Sequence, residues 1–174
     1  MRESYKMMLI LLIIGVICGG LLSLVNGVTQ PVIEARAKAE FQEAMGTFFP
    51  DVERAEEEVI GGENYYLCYD AADQFIGVVG NVKAAGYGGE ISYDLAVNAA
   101  GDIVGIRISE HGETAGIGDV IAKDTFQERI IGLNYADPIE AGVDVDTITG
   151  ATVSTGGMIS SIRRVMNVIG ENFL

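Results

Sequence analysis

The N-terminal part of the chain is a long apolar stretch. No charged residue occurs between Met7 and Ile33. Residues 7–25 alone are long enough, as a helix, to cross about 30 Å of hydrocarbon. The stretch exceeds the apolar core of a usual signal peptide, and no Ala-x-Ala cleavage site follows it. The pattern predicts a transmembrane helix over about residues 7–27, within an N-terminal segment 1–28.

The segment after the span carries a helical pattern. Apolar residues recur every fourth position at Ile33, Ala37, Phe41 and Met45, which predicts an amphipathic helix within a connecting segment 29–55. We expect residues 29–31 to end the span and residues 48–50 to end this second helix. Basic residues lie on both sides of the span, and the positive-inside rule slightly favours a cytoplasmic N-terminus. The remaining domain is then extracytoplasmic.

Two stretches of residues 56–174 repeat at an offset of 28: residues 67–79 match residues 95–107. Each predicts a β-hairpin, because Asn, Asp and Gly at residues 70–73 and 98–101 tolerate the backbone angles of tight turns. Glycine-rich loops, residues 86–89 and 112–118, follow the two hairpins at corresponding points. These loops either flank one ligand or are plain connectors.

The C-terminal part predicts helices. Residues 119–132 predict a short helix with Phe126 and Ile130 inward, and residues 134–146 form an irregular acidic segment. A helix packed on a sheet is indicated by an apolar stripe at Met158, Ile159, Ile162, Val165, Met166 and Ile169. Ser154 or Thr155 is suited to cap it. The predicted fold class is α+β: one N-terminal transmembrane helix, then an antiparallel sheet with a packed C-terminal helix.

Composition excludes several functions. The net charge is −14, and no run of Lys or Arg is present to neutralise phosphates, which argues against nucleic-acid binding. One His and two Cys, without a Cys-x-x-Cys motif, argue against protein-ligated zinc, iron-sulfur clusters and bis-His haem. We therefore expect no metal site and no catalytic residue.

The segment before the last helix carries the candidate chemistry. Residues 146–155 hold five hydroxyl side chains around Gly150 and Ala151. A phosphate here would meet free backbone N–H groups and the positive end of the helix dipole. A Ser- and Thr-rich helix start that serves only as a cap is the alternative.

The same segment, Asp146-x-x-Thr149-Gly150-Ala151-Thr152-x-Ser154, resembles the flavinylation motif of FMN-binding domains in the Rnf and Na⁺-translocating NADH:quinone oxidoreductase (Nqr) complexes. The resemblance implies that Thr152 carries FMN through a phosphoester bond, formed by a separate flavin transferase that uses FAD. It also implies that the neighbouring residues surround the cofactor: Thr149, Gly150, Ala151, Ser154 and Thr155.

A second motif, His111-x-Glu113-Thr114-x-Gly116-x-Gly118, is similar to the family's His-x-Glu-Thr-Pro-Gly-Leu-Gly loop. Ala115 and Ile117 depart from it, and loss of the proline makes the loop less rigid. The resemblance implies that four of its residues bind the cofactor: Glu113, Thr114, Gly116 and Gly118. His111 is interpreted as a loop or flavin-environment residue. The loop at residues 86–89 also looks like a family loop.

The resemblance implies a single-pass protein of the cell (inner) membrane, similar to the G subunit of Rnf. Its role would be electron transfer in a complex that couples ferredoxin:NAD oxidoreduction to Na⁺ or H⁺ movement, with other membrane and redox subunits as partners. The chain would then be an enzyme only as part of that complex. The alternatives are an Nqr C-type subunit, a stand-alone extracytoplasmic flavoprotein, and a non-redox membrane-tethered binding module.

Overall fold

The computed structural model describes the backbone of residues 2–174 and the side chains of residues 5–31, 33, 41 and 43–174. The chain divides into two compact units, residues 1–43 and 44–174.

The first unit consists of helix α1, which spans Arg2–Phe48 and so extends into the second unit. Its segment Tyr5–Pro31 has a mean hydropathy of 2.9 and is long and apolar enough to cross a membrane. The sequence predicts two helices separated at residues 29–31, whereas the structure has one helix that continues through Pro31. A proline removes a single helical hydrogen bond, which can bend a helix without ending it. The divisions of the chain at residues 28 and 55 stay predictions.

The second unit is built on a five-stranded antiparallel sheet with strands in sequential order. The strands are β1 (Arg54–Ile60), β2 (Glu63–Tyr69), β3 (Phe75–Ala85), β4 (Glu90–Asn98) and β5 (Ile103–His111). A 3₁₀ helix (Gly118–Ala122), α2 (Asp124–Gln127) and α3 (Thr152–Asn172) follow. The predicted α+β fold is confirmed.

The internal repeat is visible in the two hairpin turns. The Asp70 Oδ1 atom accepts the backbone N–H groups two and four residues later, at 2.8 and 2.9 Å. The Asn98 Oδ1 atom does the same, at 2.9 Å for both. Asp73 and Gly101, at equivalent positions, have φ angles of 59° and 86°. Both predicted hairpins, β2–β3 and β4–β5, are therefore confirmed.

Strand β1 is an element that the apolar pattern misses. The sequence predicts strands only after the acidic segment 51–58, but β1 begins at Arg54 and pairs with β2 along its whole length. All its residues except Ile60 are exposed. Acidic side chains on an edge strand discourage its pairing with strands of other chains. Strand β1 therefore carries charged residues where an alternation of apolar and polar residues would have signalled a strand.

The apolar stripe of α3 packs on one face of the sheet, against a surface that includes Ile91, Tyr93 and Leu95. All six predicted stripe residues are buried, none of them more than 2% exposed. Burying such side chains contributes roughly 1.5–3 kcal/mol each relative to exposure. The predicted helix at 119–132 is wrong in extent, since α2 ends at Gln127. Phe126 and Ile130 nevertheless point inward and are fully buried.

Polar contacts fix the position of α3 on the sheet. The Tyr93 hydroxyl donates to Ser161 Oγ at 2.9 Å, and Ser161 Oγ donates to the Lys83 carbonyl at 2.9 Å. Arg164 forms a two-pronged ion pair with Glu63, with distances of 2.5 and 2.9 Å. Partial burial would raise the pKa of the Glu63 carboxyl, but the Arg164 hydrogen bond and charge lower it below its ordinary value.

We predict that Glu63→Gln lowers the free energy of unfolding by about 1 kcal/mol at pH 7, because Arg164 is itself half exposed. A lowered folded-state pKa stabilises the fold above the ordinary glutamate pKa of about 4.3, and that contribution is lost as pH falls through the folded-state value. Denaturant unfolding of the full chain in detergent, at several pH values, should show the difference from wild type shrinking as pH falls.

Glu58→Gln is the matched control, because Glu58 is an exposed carboxylate on the edge strand. A pH-independent loss in Glu63→Gln, or an equal loss in the control, would contradict this account of the ion pair.

Candidate functional site

Helix α3 begins at Thr152 without a side-chain cap. The N-cap residue is Ala151, and no side chain forms a capping hydrogen bond there. The prediction that Ser154 or Thr155 is the N-cap is therefore wrong, because both lie inside the first turn. Thr155 Oγ1 donates to the Ala151 carbonyl at 2.9 Å and accepts the Ile148 N–H at 3.3 Å. The hydroxyl groups brace the helix start without capping it.

The residues before the helix leave Thr152 accessible. Gly150 has a φ of 90°, a left-handed conformation that favours glycine, and nothing stands within 4 Å of the space a Cβ would fill. Thr152 is exposed, and its hydroxyl makes no hydrogen bond with any residue that the structure describes. The first N–H groups of a helix have no partner within the helix. An exposed hydroxyl and the unpaired N–H groups of a helix start thus share one surface.

That surface is one wall of a cleft of about 380 Å³. Residues 150–154 form this wall, Tyr87 enters from the loop after β3, and the rest comes from the loop after β5: Glu113, Thr114, Ile117 and Gly118. The two glycine-rich loops therefore flank one cavity. Its size falls in the usual range for small-molecule sites, about 300–1,000 Å³.

Glu113 joins the two loops to α3. Its Oε1 accepts the Gly88 N–H at 2.9 Å, and its Oε2 accepts the Ser154 hydroxyl at 2.7 Å. A Cβ added at Gly86 or at Gly118 would collide with this carboxylate. A larger residue at either position would therefore displace the Glu113 carboxylate from the place where it accepts these hydrogen bonds.

The same contacts set the ionisation of Glu113. Burial would raise the pKa of the carboxyl group. Hydrogen bonds from Ser154 and from the backbone N–H groups of Gly88 and Tyr87, together with the nearby His111, lower that pKa below its ordinary value. Glu113 is consequently ionised at neutral pH, and it is the one charged residue among those that line the cleft.

The cleft has an apolar rim. Tyr87, Ile117 and Val153 line it and are 77, 54 and 60% exposed. An apolar rim beside the free N–H groups of a helix start suits a ligand with a planar apolar part and an anionic end. Thr152 is the hydroxyl from which such an end could be esterified.

Seven of the ten predicted site residues line the cleft. They are Gly150, Ala151, Thr152, Ser154, Glu113, Thr114 and Gly118. Thr149, Thr155 and Gly116 lie outside the lining: Thr149 is exposed and Thr155 is buried beneath the helix start. Gly116 has a φ of 79° and donates its N–H to Asp119, which shapes the loop.

Two other motif residues do not line the cleft. His111 accepts the Glu113 N–H through Nδ1 at 3.3 Å and so orders the start of the loop. The Asp146 carbonyl accepts a hydrogen bond from Arg129 at 3.1 Å. In the described part of the chain, no three His, Cys, Asp or Glu side chains are grouped to hold a metal ion.

Sequence reasoning missed the apolar rim. Tyr87 lies in a loop whose glycines carry the motif, Ile117 is a departure from the second motif, and Val153 occupies the position that the first motif leaves unspecified. Tyr87 carried a usable signal, because a large aromatic residue between glycines in a loop has no core to fill.

Comparison with known proteins finds one matching domain family and several similar proteins. Residues 86–167 match the family model of the FMN-binding domain. The G subunit of the ion-translocating oxidoreductase complex of Methanosarcina acetivorans is 24% identical over an alignment of 181 residues, gaps included. This alignment covers 97% of this chain and 95% of that protein. The G subunit of the same complex from Cereibacter sphaeroides is 35% identical over 96 residues, covering 50% of this chain and 44% of that protein.

A solved structure shows the same fold. The crystal structure of Shewanella oneidensis NqrC superposes with a TM-score of 0.51 at 24% sequence identity, over 61% of this chain and 56% of that chain. The match to the family model spans both glycine loops, the residues that line the cleft and most of α3. Residues 86–167 thus resemble the FMN-binding domain family, and over nearly its whole length the chain is similar to the G subunit of an ion-translocating oxidoreductase complex.

Proposed function

We propose that this protein is the electron-transfer subunit of a membrane-bound Rnf-type complex and carries FMN covalently bound to Thr152. The observation that supports this proposal most directly is the exposed Thr152 hydroxyl at the uncapped start of α3, on the wall of a cleft of about 380 Å³. The N–H groups of the helix start suit the phosphate, and the apolar rim suits the flavin ring.

Attachment is a group transfer without oxidation or reduction. The Thr152 oxygen forms a bond to the FMN phosphorus of FAD, the bond from that phosphorus to AMP breaks, and AMP leaves as the hydroxyl proton is released. A flavin transferase supplies the catalysis. The ester remains as a tether, which suits a site outside the cytoplasm where lost cofactor is not replaced from a cytoplasmic pool.

The flavin supplies one- and two-electron chemistry when bound. This chain contributes its position, a wall that shields one part of the ring, and the negative charge of Glu113. The relative from Methanosarcina acetivorans matches over nearly its full length, which supports membership of a complex that couples ferredoxin:NAD oxidoreduction to Na⁺ or H⁺ translocation. Other membrane-bound and redox subunits of that complex are the proposed partners.

Thr152→Val should abolish covalent flavin and change the free energy of unfolding by no more than about 0.5 kcal/mol, because the side chain is exposed. The chain is expressed with a flavin transferase, and in-gel fluorescence and intact mass are measured. Wild type should fluoresce and gain the mass of one FMN less one water.

Thr125→Val is the control, because Thr125 is also an exposed threonine in the first turn of a helix, α2. It should keep the flavin. Covalent flavin on Thr152→Val would rule out Thr152 as the attachment site, and a dark wild-type band would reject the flavoprotein.

We propose that the C-terminal domain lies outside the cytoplasm, anchored by the span Tyr5–Pro31. Alkaline phosphatase fused after Leu174 should be active in cells, and green fluorescent protein fused at the same place should be dark. The reverse pair of results would place the domain in the cytoplasm.

Partner identity distinguishes the Rnf assignment from its alternatives. Mild detergent purification of the tagged chain, followed by mass spectrometry, should recover Rnf subunits. Recovery of Nqr subunits would favour a C-type subunit, the alternative nearest to the NqrC fold similarity. A flavin-loaded chain that purifies alone would indicate a stand-alone carrier.

A further inference from the structure

Glu113 is the point where three separate segments of the site meet. Its carboxylate accepts hydrogen bonds from the Gly88 N–H of the loop after β3 and from Ser154 in the first turn of α3. Ser154 is 1% exposed, so its hydroxyl is aimed inward at the carboxylate and away from solvent. Ser154 and Glu113 are separated by 41 residues in sequence, and this bond fixes the helix start against the loops.

The start of α3 needs such a support. Helix ends fray, and this one has no side-chain cap to satisfy its first N–H groups. Thr155 braces the backbone from below, through Ala151 and Ile148. The Ser154–Glu113 bond is the contact that ties the first turn to the wall opposite.

The charge of Glu113 strengthens that contact. Hydrogen bonds to an ionised acceptor are about twice as strong as neutral ones. The glycines at 86 and 118 leave space for the carboxylate, since a Cβ at either would collide with it. The carboxylate is therefore packed as well as hydrogen-bonded, and it leaves Thr152, two residues before Ser154, free on the surface.

Resting on the proposed function of Thr152, we infer that Glu113 is a positioning residue for flavin attachment: through Ser154 it holds the first turn of α3 in the conformation that presents Thr152 to the transferase. Without the Glu113 carboxylate, only a fraction of the chains would hold the first turn of α3 in the conformation that presents Thr152. The apparent affinity of the transferase for the chain falls by that fraction, whereas the rate of transfer within the complex is retained.

The test measures covalent flavin incorporation into the full-length chain in detergent, with purified transferase and FAD, over a range of acceptor concentrations. Glu113→Ala should raise the KM for the chain about tenfold, the lower end of the range expected for loss of a hydrogen bond to a charged group, with kcat changed less than about twofold. Ser154→Ala should raise KM in the same direction. The KM of the double variant should equal that of Glu113→Ala, because both changes remove the same Ser154–Glu113 hydrogen bond.

Glu113→Gln should restore most of the wild-type KM, since its amide still pairs with Gly88 and Ser154. Glu110→Gln, an exposed carboxylate near the end of β5, is the matched control and should be unchanged. Hydrogen exchange of the unflavinylated Glu113→Ala chain should be faster in the first turn of α3 and unchanged in the sheet.

Wild-type KM in Glu113→Ala, or single effects that multiply in the double variant, would overturn the positioning role and leave the flavin site intact. A wild-type chain that accepts no flavin would overturn the proposed function as well. If Glu113→Ala does not fold, Ser154→Ala alone decides, because it removes a single hydroxyl.

Discussion

The packing of α3 on one face of the antiparallel sheet is the interaction on which the rest of the domain depends. The helix buries its apolar stripe in one hydrophobic cluster with residues of the sheet and is held in register by Ser161 and by the Arg164–Glu63 ion pair. A Cβ at Gly157 would collide with the Ala85 carbonyl, so the helix lies close to the end of β3. Because that end leads into a glycine-rich loop, the same packing places the helix start at the cleft.

The candidate site lies where the loops after β3 and β5 meet the start of α3. The loops that follow the two hairpins lie at the same end of the strands, and the start of α3 completes the cavity between these loops. The helix start combines an uncapped positive dipole end with an exposed hydroxyl, while Glu113 adds a half-buried negative charge that binds protein groups. The cleft thus combines the free N–H groups of a helix start with an exposed hydroxyl, and none of the described residues that line it is basic.

Local chemistry explains what the sequence could predict. Turn residues at Asp70 and Asn98 determine the hairpins, and the stripe of α3 determines the packed helix, because both signals lie within a few residues of one another. Strand β1 was not predicted, because it is an exposed edge strand whose charged residues replace the usual alternation of apolar and polar positions. The Ser154–Glu113 bond joins residues 41 apart, and no local pattern reports such a contact. The motif resemblance identified both residues but not their partnership.

In the proposed function, the flavin is esterified to one hydroxyl among five closely spaced ones. Trypsin cleavage after Arg129 and Arg163 yields one peptide, residues 130–163, that contains all five. Tandem mass spectrometry of this peptide from flavin-loaded wild type localises the modification. The account predicts FMN on Thr152 alone. FMN on Thr147, Thr149, Ser154 or Thr155, or an unmodified peptide from a fluorescent chain, would contradict it.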